Sequence, residues 1–134
     1  MEELEIPIFK KLYDLYKLIG LYRASVAKSE RYTIWNRVDT TCIDLIELVI
    51  SASSRSRAEK LPSLEEASIK LNLLRIFVRM AKDTKVIDPK KYLAMQTLMD
   101  EIGRMLGGWI RASKISPPPS RVVFSELLMP LRMR

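Results

Sequence analysis

Apolar residues recur along the chain with a helical period in four separate stretches. In the first, about residues 7–27, Ile8, Leu12, Leu15, Ile19 and Tyr22 are spaced 4-3-4-3, which puts them on one helical face. Pro7 suits an early helical position, where its missing N–H costs nothing. The second stretch, about 33–58, opens at Thr33 as an N-cap and carries Ile34, Val38, Thr41, Leu45, Leu48 and Ala52. Its end is weakened by the Ser/Arg run from Ser51 to Arg57, and Pro62 predicts the break. Ser63 with Glu65 and Glu66 then predicts a new cap for a third stretch, about 63–85. Leu64, Ala67, Leu71, Leu74, Val78 and Ala81 form its stripe. Asp88-Pro89 predicts a cap followed by proline at the first position of a fourth stretch, about 89–112. There Tyr92, Met95, Met99, Ile102, Leu106 and Trp109 face one way.

No stretch alternates with a period of two, so no sheet is expected. The connections before the third and fourth stretches are short, which makes consecutive helices antiparallel neighbours. The expected fold is therefore all-α, an antiparallel up-down-up-down four-helix bundle over residues 1–112. Residues 113–134 form a separate tail in which Pro117-Pro118-Pro119 cannot be helical. A disordered terminus is the expectation for it, and docking of its apolar clusters, on a neighbouring subunit for example, is the alternative.

The third stretch carries more apolar surface than one bundle needs. Ile69, Leu73, Ile76 and Met80 make a second stripe, spaced 4-3-4 and about 150° from the first. A helix apolar on two faces must bury both. A second subunit satisfies this most simply; cover by the tail of the same chain is the alternative. A homo-oligomer is the expectation.

Composition narrows the chemistry. The 134 residues include no histidine and a single cysteine. That excludes imidazole proton transfer, Ser-His-Asp systems, histidine metal ligands, internal disulfides and Cys-rich zinc sites. Asp44 and Glu47 are three apart, but di-iron bundles pair glutamate with histidine, so these acids read as surface. We assign no catalytic residue, metal or cofactor and expect a binding protein, not an enzyme. Cys42 reads as a small buried hydrophobe. Trp35 and Trp109 read as core or interface, with a base-stacking platform the alternative. Tyr13, Tyr16 and Tyr22 read as edge residues, with stacking on RNA bases the alternative. No stretch has the length of a membrane span, and the acidic start lacks the pattern of a secretory leader, so a cytoplasmic protein is expected.

Charge is uneven. Residues 1–67 hold 10 basic and 11 acidic side chains, whereas residues 68–134 hold 13 and 5, so the net +7 lies entirely in the second half. A field of one sign attracts polyanions. Arg75, Arg79 and Lys82, spaced 4 and 3, line one ridge; Lys85, Lys90 and Lys91 extend it, and Arg104 and Arg111 add to it along the fourth stretch. These eight are the candidate nucleic-acid and partner-binding residues, arginine matching phosphate through its planar fork. Singly, each is an ordinary surface charge or a partner for an acid such as Asp83. Gly103 and Gly107 share a face of the fourth stretch, where glycine costs ~1 kcal/mol against alanine. Close approach of another helix or of a ligand would offset this, and they join Ile69, Leu73, Ile76 and Met80 as candidate interface residues.

Lys60-Leu61-Pro62, Leu64-Glu65, Lys70-Leu71, Leu74-Arg75, Arg79, Asp88 and Tyr92 lead into the run from Asp100 to Trp109, which contains Glu101-Ile102-Gly103-Arg104-Met105-Leu106-Gly107-Gly108-Trp109. This pattern resembles the accessory variability determinant (Avd) proteins of diversity-generating retroelements. They sit in a wider four-helix-bundle family that includes proteins encoded in 23S rRNA intervening sequences. The resemblance covers residues 6–112 and is most specific over 60–111. It implies a barrel-shaped homopentamer that associates with the retroelement reverse transcriptase and with template-repeat RNA and cDNA, supports mutagenic retrohoming and catalyses nothing itself. A structural or ribosome-associated role of the intervening-sequence type is the alternative.

Overall fold

The computed structural model describes residues 5–114, with side chains from residue 7. Expectations for the tail lie outside the described residues. The described residues form four long helices and one single-turn helix: α1 Glu5–Arg23, α2 Lys28–Arg31, α3 Ile34–Ser53, α4 Arg57–Asp83 and α5 Pro89–Lys114. The described residues contain no strand. The long helices pack as a ring in chain order, α1 on α3, α3 on α4, α4 on α5 and α5 back on α1. That is the expected up-down-up-down bundle, and α1 and α4 stand at opposite corners of it.

The core is made largely of the predicted inner stripes. Ile8, Leu12, Leu15 and Ile19 of α1, Trp35, Val38, Cys42 and Leu45 of α3, all six stripe residues of α4, and Met95 to Trp109 of α5 are buried together. On α3 the buried line takes Trp35 and Val49 in place of the predicted Ile34 and Leu48, which are half-buried one residue away, and runs on to the predicted Ala52. Each fully buried Leu or Ile contributes ~1.5–3 kcal/mol through the area it removes from water. Trp35 is wholly enclosed, and its indole N–H donates to the carbonyl of Ile19 at 3.1 Å. That bond satisfies the only polar atom of a side chain otherwise suited to the interior. Burial pushes the Cys42 thiol up to about 12, so it stays a protonated, inert core group.

Two helix ends differ from expectation. The predicted break at Pro62 is absent, because α4 begins at Arg57 and carries Pro62 as its sixth residue. The Ser56 carbonyl accepts the N–H groups of Glu59 and Lys60 at 3.0 and 2.9 Å and starts the helix nearly two turns early. Pro62 removes one hydrogen bond, to Ala58, at an exposed position near the start. The inner stripe also begins at Lys60, four before Leu64 and buried through its methylene stem. The second stretch ends at Ser53, not 58, where Ser53 and Ser54 donate back to the carbonyls of Ile50 and Ser51 at 2.8 and 2.9 Å. The first stretch stops at Arg23, and a turn with buried Val26 follows. Arg31 ties down that turn by donating to the Val26 carbonyl at 3.0 Å.

The α4–α5 connection is built by two motifs. Val86 N–H bonds the Ala81 carbonyl at 2.7 Å and Lys85 N–H bonds the Lys82 carbonyl at 3.0 Å, a Schellman closure. The left-handed position of that closure, usually glycine, is held by Lys85 at φ 64°. Asp88 then caps α5, accepting the Lys91 N–H at 2.7 Å, with Pro89 at the first helical position as the sequence predicts. The Lys91 backbone N–H first, and its ammonium second, hold the Asp88 carboxyl below its ordinary range.

Lys85→Gly is expected to raise stability by about 1 kcal/mol in denaturant melts, because glycine has no left-handed penalty. Asp88→Ala is expected to lower Tm at neutral pH. A carboxyl whose folded pKa is depressed stabilises fully above its unfolded pKa, about 4, and loses that contribution as pH falls through the folded value. The Tm gap between wild type and Asp88→Ala should therefore narrow in acid.

Candidate functional site

The candidate residues divide into three groups along the α4–α5 face. The largest lies at the α4 C-terminus and α5 N-terminus, where five cations meet two carboxylates. Arg79 Nε stands 3.5 Å and Lys82 Nζ 3.6 Å from the same Asp83 carboxylate. Lys82 Nζ also lies 4.8 Å from the Tyr92 ring centre. Lys91 Nζ pairs with Asp88 at 3.0 Å and sits 5.7 Å from the Tyr22 ring centre. Lys85 and Lys90 are exposed and face no carboxylate among the described residues. Five cations against Asp83 and Asp88 leave a local excess of +3. Exposed ion pairs of this kind are weak, so these lysines and Arg79 can exchange a carboxylate for a phosphate at little cost.

Arg75 is different. It reaches from α4 across to α5, where Nη1 pairs with Asp100 at 2.5 Å and Nη2 donates to the Met99 carbonyl at 3.1 Å. A Cβ placed on Gly103 would lie 2.6 Å from that Nη2. Gly103 is thus the floor on which the guanidinium lies, and its glycine is accounted for within one chain. Arg75 serves first as an α4–α5 crosslink. Arg104 is exposed on the rim of the same hollow, which Ser68, Asn72 and Gly107 also line. A Cβ on Gly107 would meet, among the described residues, only the guanidinium of Arg111, at an ordinary 3.6 Å.

Arg111 belongs to neither group. It lies 21 residues, ~31 Å, along α5 from Lys90. Its end of the bundle carries a hollow of about 250 Å³ lined by Arg55, Ser56, Arg57, Lys60, Trp109, Ala112 and Ser113. Lys60 Nζ is 5.2 Å from the Trp109 ring centre. By its sequence alone, the Ser/Arg run of 51–57 signals only a helix ending. What brings Arg55 and Arg57 to α5 is the helical hairpin, which local spacing does not display.

The second stripe of α4 is on the surface. Ile69, Ile76 and Met80 are 66%, 56% and 46% exposed, and Leu73 is half-buried. No described element covers them. Ile76 and Met80 line one groove of about 310 Å³ with Arg75, Arg79, Tyr92, Gln96 and Met99, so apolar stripe and basic ridge adjoin. Asp44 pairs with Lys70 at 3.3 Å across α3 and α4. No described helix is long and apolar enough to cross a membrane.

A family model described as bAvd-like matches residues 7–113. A search of curated proteins finds no match. The matched span takes in all four long helices and every candidate residue above.

Gly103→Ala is expected to push the Arg75 guanidinium off Asp100 and Met99. The substitution should stabilise an Arg75→Ala background by about 1 kcal/mol, the helix preference of alanine over glycine, and should gain less than that or lose stability in wild type. Urea melts of the four proteins of this double-mutant cycle measure the coupling.

Proposed function

We propose that this chain, which belongs to the bAvd-like family, is a non-catalytic accessory protein of a diversity-generating retroelement. It binds the reverse transcriptase and template RNA or cDNA through a basic surface, and so supports mutagenic retrohoming in the cytoplasm. The observation that carries the reading is the pairing of family membership with the cationic α4–α5 end. Arg79, Lys82, Lys85, Lys90 and Lys91 give that end a positive excess beside an uncovered apolar stripe. Arg104, and more remotely Arg111, extend the field.

The apolar stripe serves assembly. Burying Ile69, Leu73, Ile76 and Met80 against another copy removes their surface from water and brings the basic ends of several subunits into one particle. A pentamer, the number implied by the family resemblance, would carry about five times +7, roughly +35. Lys85 supports the same reading. A lysine kept where glycine is preferred retains a cation at a stability cost, which suits a binding role.

The test uses the purified full chain. Arg79→Glu with Lys90→Glu is expected to weaken RNA binding and reverse-transcriptase co-purification. The variant should also flatten the dependence of log affinity on log salt by about 0.7 for each phosphate that is no longer neutralised. Wild-type binding to both partners at low and moderate salt would overturn the assignment of this surface. Partitioning with ribosomes, with no affinity for a reverse transcriptase, would favour the structural role instead.

A further inference from the structure

On the far side of the bundle from the α4 ridge, α1 presents aromatic rings to solvent. Tyr13 and Tyr16 are 61% and 41% exposed, and Tyr32, just beyond α2, is 71% exposed. Two of these rings already carry a cation. Lys17 Nζ lies 4.7 Å from the Tyr13 ring centre, and the Arg23 guanidinium lies 5.7 Å from that of Tyr32. At 100° per residue, Tyr13, Tyr16, Lys17, Gly20 and Arg23 fall within one ~120° sector of α1. From Tyr13 to Arg23 the sector runs ten residues, ~15 Å. Its lower part rims a cleft of about 340 Å³, in which Tyr16, Lys17, Gly20 and Arg23 face Trp35, Asn36 and Asp39 of α3.

Gly20 supplies a second observation. It sits inside a helix, where glycine is unfavourable against alanine. A Cβ there would meet nothing within 4 Å. Gly103 is explained by a guanidinium of its own chain, whereas nothing described in the chain explains Gly20. The space above it is open to something from outside. The charge there is also positive, which the net −1 of residues 1–67 conceals. Residues 10–39 hold seven cations (Lys10, Lys11, Lys17, Arg23, Lys28, Arg31, Arg37) against Asp14, Glu30 and the cleft's Asp39, a net of +4, and Lys17 is held only in an exposed pair with Asp14 at 3.8 Å. Lys11 is drawn to Glu101 at 3.1 Å on the α5 side.

We infer that this outer face of α1 is a stacking surface for single-stranded nucleic acid, with Tyr13 and Tyr16 taking bases and Lys17 and Arg23 the flanking phosphates. Exposed rings alternating with cations match an unpaired strand, which offers a π-face and a phosphate at every step. A duplex hides its base faces and would use the cations alone. Gly20 lets the strand approach the helix backbone at the cleft. This inference rests on the nucleic-acid reading proposed above and adds to it a contact site at the opposite corner of the bundle.

The test is fluorescence anisotropy of a labelled single-stranded RNA with the full chain, across a salt series. Tyr13→Ala with Tyr16→Ala is expected to lose at least about ten-fold in affinity with an unchanged salt slope, because no cation is removed. Tyr13→Phe with Tyr16→Phe, which keeps the rings, should bind as wild type. Gly20→Leu should weaken binding while the thermal melt holds or rises, since leucine suits a helix better than glycine. If the alanine pair binds as wild type while Arg79→Glu with Lys90→Glu loses affinity, the α1 surface is wrong and the proposed function stands. If wild type binds no RNA, both fall. A changed particle mass for the alanine pair would make the face a contact between copies, and would overturn the inference. Loss of polymerase binding with RNA affinity unchanged would overturn it too.

Discussion

The inner stripe of α4 is the contact on which the rest of the molecule depends. Leu64, Ala67, Leu71, Leu74, Val78 and Ala81 are at most 3% exposed and pack against α3 on one side and α5 on the other. α1 completes the ring through those same two neighbours. Burying this stripe sets the rotation of α4 about its own axis. The rotation in turn decides that Ile69, Ile76 and Met80 point outward and that Arg75 reaches α5. A helix with one apolar face could turn slightly at little cost. With two apolar faces and a crosslinking arginine between them, α4 has one orientation that satisfies all three.

Arg75 joins packing to electrostatics. Its guanidinium lies on Gly103 between the Asp100 carboxylate and the Met99 carbonyl, with its side chain about one third exposed. A glycine and an arginine on separate helices are thereby coupled. The pair ties α4 to α5 at mid-height, just where the outer stripe and basic ridge share a groove. The cations toward the connection are held more loosely, in exposed pairs that solvent screens. A helix crosslink and loosely held surface charge are thus divided among residues that look alike in sequence.

Much of the fold is legible in the sequence because burial follows the 3.6-residue period, and every residue of the predicted inner stripe of α4 is buried in the bundle. The boundaries that differ have physical causes. Lys60 occupies an inner-stripe position through its stem, so spacing of apolar residues alone makes the stripe one residue too short. Pro62 falls early enough in α4 for the helix to tolerate it. The Asp88-Pro89 cap is a purely local signal, and the structure has it where the sequence puts it. The candidate surface is less legible. Arg75, Arg79 and Lys82 form one ridge by spacing, yet their partners Asp100, Asp83 and Tyr92 lie partly on another helix. Half-chain charge sums also hide the positive stretch that starts on α1, because Glu2, Glu3 and Glu5 and the acids of α3 and early α4 cancel it.

The central claim is that the outer stripe of α4 is an interface and that assembly concentrates the basic ends. Native mass spectrometry of the purified full chain tests it most directly. The account predicts a discrete multimer that dissociates to monomer when Ile76 is replaced by glutamate, with helicity retained. A monomer at micromolar concentration in wild type, or a multimer indifferent to Ile76→Glu, would contradict it.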